Sequence, residues 1–244
     1  MNGKPAPPRP KRFFKTAAAG AKDGAFVLLL DGRPAKTPAR RDLALPTREA
    51  ADALAAEWNG LGDAIEPGRM PLTRIVNAAI DGVAGNAAAV LDEVVGYAGS
   101  DLLFYRAAEP EALVAEQAEA WDPVLDWCRA DYGVRFVLGE GVMPVAQPSA
   151  TLSILRQTFA EAIGEGSGAP FRLSALDVMT TLTGSALLAF AVLRGRLTPE
   201  EAWAAAHVDE AFQERHWGQD AEALERRDDR WLEMRTAAGL ARLV

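Results

Sequence analysis

The segment AKDGAFVLLLDGRPAKTP, residues 21–38, decides how the first third of the chain is built. Two Asp-Gly dipeptides, Asp23-Gly24 and Asp31-Gly32, bracket the apolar run AFVLLL. Asp-Gly readily adopts the positive φ angles of tight hairpin turns, so the pattern predicts an antiparallel meander of about three strands. Upstream, RFFKTAAA at 12–19 supplies the first strand, and Asp42 to Pro46 offers a short fourth. Thr47 is then placed to cap a helix through REAADALAAEW, where Ala50, Leu54, Ala55 and Trp58 recur at helical spacing before Asn59-Gly60 ends it.

From Pro71 onward the apolar period becomes helical, with segments near 73–81, 86–98, 110–120, 123–131, 149–163, 175–194 and 199–217. Pro123 is expected to break the helix that carries Trp121, because proline disfavours helical geometry in the residue before it. Thr198-Pro199-Glu200-Glu201 is the clearest helix start, with a threonine cap, proline in the first turn and glutamate three residues on. DLLFYRA at 101–107 and VRFVLG at 134–139 are strand candidates, and GEGSG at 164–168 reads as a surface loop. The fold class is therefore α+β: a small N-terminal α+β domain with an antiparallel meander, residues 10–83, followed by a larger, mainly α-helical domain, residues 84–244.

A chain of 244 residues that is 49% hydrophobic can bury a substantial core. Its net charge of −8 and pI near 4.9 argue against nucleic acid or an anionic membrane as the main partner. Membrane insertion is not expected either, because LLAFAVL at 187–193 is too short to span and reads as a buried helix. One cysteine, Cys128, excludes an internal disulfide. The first 22 residues are basic and free of acids, but Pro5, Pro7, Pro8 and Pro10 spoil an amphipathic targeting helix and favour a solvated arm.

Catalytic chemistry is hard to assemble from these residues. His207 and His216, the two histidines, are nine apart and fall on opposite faces of a helix, so they cannot chelate one metal. Cys128 beside Trp127 reads as a small buried hydrophobe. GEGSG lacks the lysine and preceding strand of a phosphate loop, and the adjacent acids Glu200-Glu201 and Asp228-Asp229 point apart on a helix. No catalytic residue, metal ligand or cofactor is expected. The alternative is a hydrolase or transferase with carboxylates converging on a pocket between the domains.

A different pattern occupies AHVDEAFQERHWG, residues 206–218. Asp209, Gln213 and Trp217 stand at i, i+4 and i+8 on one helical face. On a wheel drawn continuously from Trp203 they share the apolar half with Phe212, while His207, Glu214 and Arg215 lie opposite. An unpaired carboxylate in such a stripe is costly, so either the fold satisfies Asp209 or the stripe meets an outside partner. The six tryptophans read mainly as core fillers, with one or two as exposed interface anchors.

Several segments, in order, resemble one family: RFFK, LDGRPAKTP, AAEW at 55–58, MPLTRIVNAAID at 70–81, YAGSDLLFYRA at 97–107, WDPVLDW at 121–127 and DEAFQERHWG at 209–218. The set is similar to the assembly chaperones of the F-type ATP synthase that bind its alpha subunit, found in mitochondria and alphaproteobacteria. The resemblance implies a chaperone without catalysis or cofactor that binds free alpha subunit and shields its subunit interface until beta subunit joins. It implies a monomer when free, in the bacterial cytoplasm, or in the mitochondrial matrix if the source is eukaryotic. The arm is short and proline-rich for a presequence, which favours the bacterial branch. The family's acid-x-x-x-Gln-x-x-x-Trp-Gly motif falls on Asp209, Gln213, Trp217 and Gly218, and its Glu-Trp pair on Glu57 and Trp58, making these six the partner-binding candidates. Where relatives continue Trp-Asp-x-Gln, this chain departs with Trp58-Asn59-Gly60-Leu61.

Overall fold

Both Asp-Gly turns form as the sequence predicts. In the computed structural model, which describes residues 10–141, 143–218 and 221–244, strand β1 (Ala17–Lys22) turns at Asp23-Gly24 into β2 (Ala25–Leu30), and β2 turns at Asp31-Gly32 into β3 (Arg33–Pro34). All four turn residues have positive φ, between 47° and 81°, which matches the right-handed twist of the strands they join. The registers are antiparallel, Lys22 opposite Ala25 and Leu30 opposite Arg33. The predicted fourth strand, β4 (Ala44–Leu45), pairs with the first half of β2. Helix α1 (Arg48–Asn59) is capped by the Thr47 hydroxyl, which accepts from Ala50 N at 3.2 Å, and lays Ala50, Ala51, Leu54 and Ala55 against the sheet.

The departure at Asn59 has a local use. Its side-chain amide accepts from Ala17 N at 2.9 Å and donates to Ala17 O at 2.8 Å, extending the ladder of β1 onto the end of α1. A carboxylate at that position could accept but not donate.

The helical part begins with α2 (Pro71–Ala78), which runs through a π-helical turn (Ala79–Val83) into α3 (Ala84–Gly99). The expected change of domain near 83/84 falls at the end of this π turn, just before a kink at Asn86 (φ −138°, ψ 28°). Asp81, in the π turn, accepts from Thr37 Oγ1 at 2.7 Å and Ala39 N at 2.9 Å, tying the loop after β3 to that turn. Helix α4 (Glu111–Tyr132) follows, then α5 (Ser149–Ile163), α6 (Ala169–Thr183), α7 (Ala186–Leu193), α8 (Pro199–Ala206), α9 (Val208–Trp217) and α10 (Ala221–Leu243). Helix α6 is the axis: α2, α3, α5, α7, α8 and α10 all pack on it. Helix α10 also reaches α1, where Leu243 O accepts from Thr47 Oγ1 at 2.5 Å, so the last helix is joined to the N-terminal unit. Among the described residues no helix is long and apolar enough to cross a membrane.

Four sequence expectations need correction. Pro123 does not end a helix; it lies inside the 22 residues of α4. The proline and Glu119, whose carbonyl loses its N–H partner, are both solvent-exposed, so water satisfies that carbonyl. Buried Trp121, Val124, Leu125 and Cys128 hold the opposite side straight. The helix expected over 175–194 is two, because Gly184 turns left-handed at φ 67° and the Ser185 hydroxyl caps α7 by accepting from Leu188 N. The helix expected over 199–217 is also two, broken at His207 (φ −118°, ψ 26°). Finally, the solvated arm expected over 1–22 ends early. Its first nine residues lie outside the described set, but from Pro10 the chain is docked, with Ile65 N donating to Pro10 O and Arg12 N to Asp63 O. Of the two strand candidates, 101–107 forms a 3₁₀ turn (Leu102–Phe104) and then β5 (Tyr105–Arg106), which pairs in parallel with β6 (Gly139–Glu140), where only the last residue of the 134–139 candidate is strand.

Candidate partner-binding site

The break at His207 reshapes the row that begins at Asp209. Because the helix restarts at Val208, the wheel drawn through Trp203 no longer applies, and only Phe212 of α9 is buried. Gln213, expected in the apolar stripe, is exposed, and Trp217 is 78% exposed. His207, expected on the polar side, is instead buried, with its ring 4.1 Å from that of Trp203 and its Nδ1 2.8 Å from Trp203 O. Burial holds its pKa below the usual histidine value.

Helix α9 is tied to α4 along one side and to α10 by the Glu214–Arg227 ion pair at 3.0 Å, with an open face between. Asp209 is half-buried, and its Oδ1 accepts from Gln117 Nε2 at 2.7 Å. Gln117, 1% exposed on α4, accepts in turn from Ala107 N at 2.8 Å. This is the partner inside the fold that an acid on that face requires. A second tie is the ion pair of Arg215 with Glu116 of α4, and a third is Trp121 Nε1, which donates to Ala205 O at 2.7 Å just before the break. Next to Phe212, His216 stacks at 4.3 Å. Gly218 ends the helix at φ 89°, a conformation that favours glycine. Asp209 thus aims the helix, while Gln213 and Trp217 face outward.

Glu57 and Trp58 belong to another part of the surface and do not join this row. The Glu57 carboxylate caps the start of α2, accepting from Leu72 N at 2.8 Å, Thr73 N at 2.9 Å and Thr73 Oγ1 at 2.5 Å. A carboxylate there also complements the positive end of the helix. Trp58 Nε1 donates to the same Thr73 Oγ1 at 2.9 Å, and its ring lies 5.4 Å from that of Phe14. Glu57 is therefore committed to the fold, and Trp58 is half-buried with one face open. Sequence reasoning missed Gln117 and Thr73, the internal partners of the two acids. Neither carries a signal beyond being polar in an otherwise apolar helical period.

Other titratable groups serve structure. Burial pushes the Cys128 thiol up to about 12, so it is not a nucleophile at neutral pH. Asp101, fully buried, accepts from Leu103 N and Leu187 N, both at 3.1 Å, at the N-terminus of α7, and burial raises its pKa to about 6.

Comparison with known proteins decides the family. A family model described as ATP12 chaperone protein matches residues 11–129. The crystal structure of Atp12 from Paracoccus denitrificans is 40% identical to this chain, covers 96% of it and 98% of its own length, and superposes with a TM-score of 0.85. The chain belongs to the ATP12 chaperone family. A protein of Agrobacterium tumefaciens is likewise similar, at 46% identity, 96% of this chain, 86% of its own and a TM-score of 0.89. The mitochondrial protein atp12 of Schizosaccharomyces pombe is 25% identical over 232 residues, 89% of this chain and 78% of that one. Both solved relatives cover 96% of the chain, so the α+β architecture is shared with them.

Proposed function

We propose that this family member acts in assembly of the F-type ATP synthase, and that its client is the free alpha subunit, held on the open face of α9 and shielded until beta subunit joins. The observation that carries the reading is a 78% exposed tryptophan on a helix that Gln117 and Glu116 of α4 tie from behind. Large exposed aromatics on pre-organised surfaces are the usual anchors of protein interfaces. Trp217 and Gln213 are the contacts, Gly218 lets the chain leave without crowding them, and Asp209 orients the helix. Trp58 offers a second open aromatic face, with Glu57 setting the start of α2 beneath it. The two acids of the candidate set are engaged within the fold, Glu57 at the start of α2 and Asp209 by Gln117, which suits a binding surface better than acid–base chemistry at these two positions. The monomer acts in the bacterial cytoplasm, without catalysis or cofactor.

Co-purification from cells expressing alpha subunit tests this. The parent chain is expected to recover alpha. Asp209→Lys, which replaces the acceptor for Gln117 with a cation, is expected to reduce recovery at least about tenfold while far-UV circular dichroism stays nearly unchanged. Asp209→Asn keeps an acceptor oxygen and is expected to lie between the two. Folded parent that recovers no alpha would contradict the proposal.

A further inference from the structure

A groove crosses the N-terminal unit where Trp58 emerges. One recess of 580 Å³ is lined by Phe13, Phe14, Leu30, Pro34 and Trp58, and a second of 430 Å³ continues over Ile65, Met70 and Asn77. Trp58 and Lys36 line both, so the two recesses adjoin. Phe13 stands 70% exposed at its mouth.

The segment that supplies most of its wall is charged opposite to the whole protein, and Arg33 and Lys36 are the cations of that segment that line the recesses, with Asp31 beside them. Residues 10–48, which supply most of the wall, hold nine lysines and arginines against three aspartates, in a chain of net charge −8. Two of those aspartates are already engaged: Asp42 by Lys22 and Lys36 at 2.8 and 2.7 Å, Asp31 by the backbone N–H groups of Lys15 and Thr16. Arg33, on the rim of the first recess, makes no ion pair among the described residues, whereas Arg74, which borders the second, is paired with Glu233 at 2.9 Å. At the inner end the Asn77 side-chain oxygen is buried and accepts no hydrogen bond. A buried acceptor without a donor calls for one, and a backbone N–H of an inserted chain would supply it.

We propose that this groove seats an extended segment of the client in which acidic and apolar side chains alternate. The apolar residues lie against Phe13 and Trp58, the carboxylates face Arg33 and Lys36, and a backbone N–H donates to Asn77. This rests on the client reading above and adds to it a second contact, separate from α9. Charge decides for such a segment over a basic one, while the acidic remainder of the surface repels longer polyanions.

The test uses the full-length chain and fluorescein-labelled peptides of about fifteen residues that tile the alpha subunit, read by anisotropy. Acidic–apolar peptides are expected to bind the parent, to bind the Arg33→Glu/Lys36→Glu double variant at least about tenfold more weakly, and to weaken at 0.5 M salt. Phe13→Ser is expected to weaken the same peptides. All three substituted residues are exposed, so melting temperatures should fall by no more than the few degrees that loss of the exposed Lys36–Asp42 pair costs. Absence of peptide binding, equal binding of basic peptides, a change under twofold in the double variant, or binding of phosphatidylserine vesicles in place of peptides would overturn the proposal. Capture of intact alpha subunit, measured in parallel, keeps the two readings apart. If alpha is captured and no peptide binds, the groove proposal falls and the client reading stands. If acidic peptides need Arg33 and Lys36 but alpha is not captured, the groove stands and the client reading falls.

Discussion

Trp121→Ala is expected to lower the unfolding free energy by about 3–5 kcal/mol, a large share of the total for one domain. The indole is 1% exposed, lies under the Arg106 guanidinium at 5.1 Å, and donates to Ala205 O at 2.7 Å. Truncation opens a cavity beneath α4 and leaves the Ala205 carbonyl of α8 without its donor just before the break at His207. The damage should reach α9, so loss of client binding is expected to accompany the loss of stability. Trp121→Phe separates the two effects: it keeps most of the packing and removes the hydrogen bond, for about 1–2 kcal/mol. Urea unfolding checks both, and a loss below about 1 kcal/mol for the alanine variant would mean that this contact does not hold α4 to α8.

The second large effect is expected at Asp101. Asp101→Ala removes the acceptor of two buried N–H groups, Leu103 N and Leu187 N, at the entry to the wholly apolar α7, for about 2–5 kcal/mol near neutral pH. Its pH dependence has a definite sign. Burial raises the folded pKa to about 6 from an ordinary 3.8, so between those values the folded state binds more protons than the unfolded one. The contribution of Asp101 to stability therefore grows as pH falls from about 7 toward 4, the reverse of a salt-bridged carboxylate. Asp177, also raised to about 6 by burial and by Glu93, acts in the same direction, while buried His207, lowered, acts in the opposite one. Comparing parent with Asp101→Ala across this range cancels both. The difference between them should widen on acidification, and a difference that narrows would contradict the assignment.

How much of this was legible in the sequence depends on how local each feature is. The meander was, because Asp23-Gly24 and Asp31-Gly32 fix positive φ within two residues and need no tertiary help. The capping box at Thr198 was legible for the same reason, and both of its reciprocal bonds are present. The breaks at Gly184 and His207 and the continuity through Pro123 were not. Each is settled by what packs on the far side: the Ser185 cap and Asp101 at the start of α7, the Trp203–His207 contact, and the buried side of α4. The candidate site was half legible. The i, i+4, i+8 spacing correctly put Asp209, Gln213 and Trp217 on one helix, but the continuous wheel gave them the wrong surroundings. An internal partner for Asp209 was one of two outcomes the sequence left open. That it is Gln117, 92 residues away in sequence, no periodicity could have shown.

The account rests on the open face of α9 being the surface that holds alpha subunit, and titration calorimetry of purified alpha subunit against the parent and Trp217→Ala tests it most directly. Because Trp217 is 78% exposed, its removal should leave the melting temperature unchanged. The expected result is a loss of about 2 kcal/mol of binding free energy, roughly thirtyfold in Kd. An affinity within about twofold of the parent, with the fold intact, would contradict it.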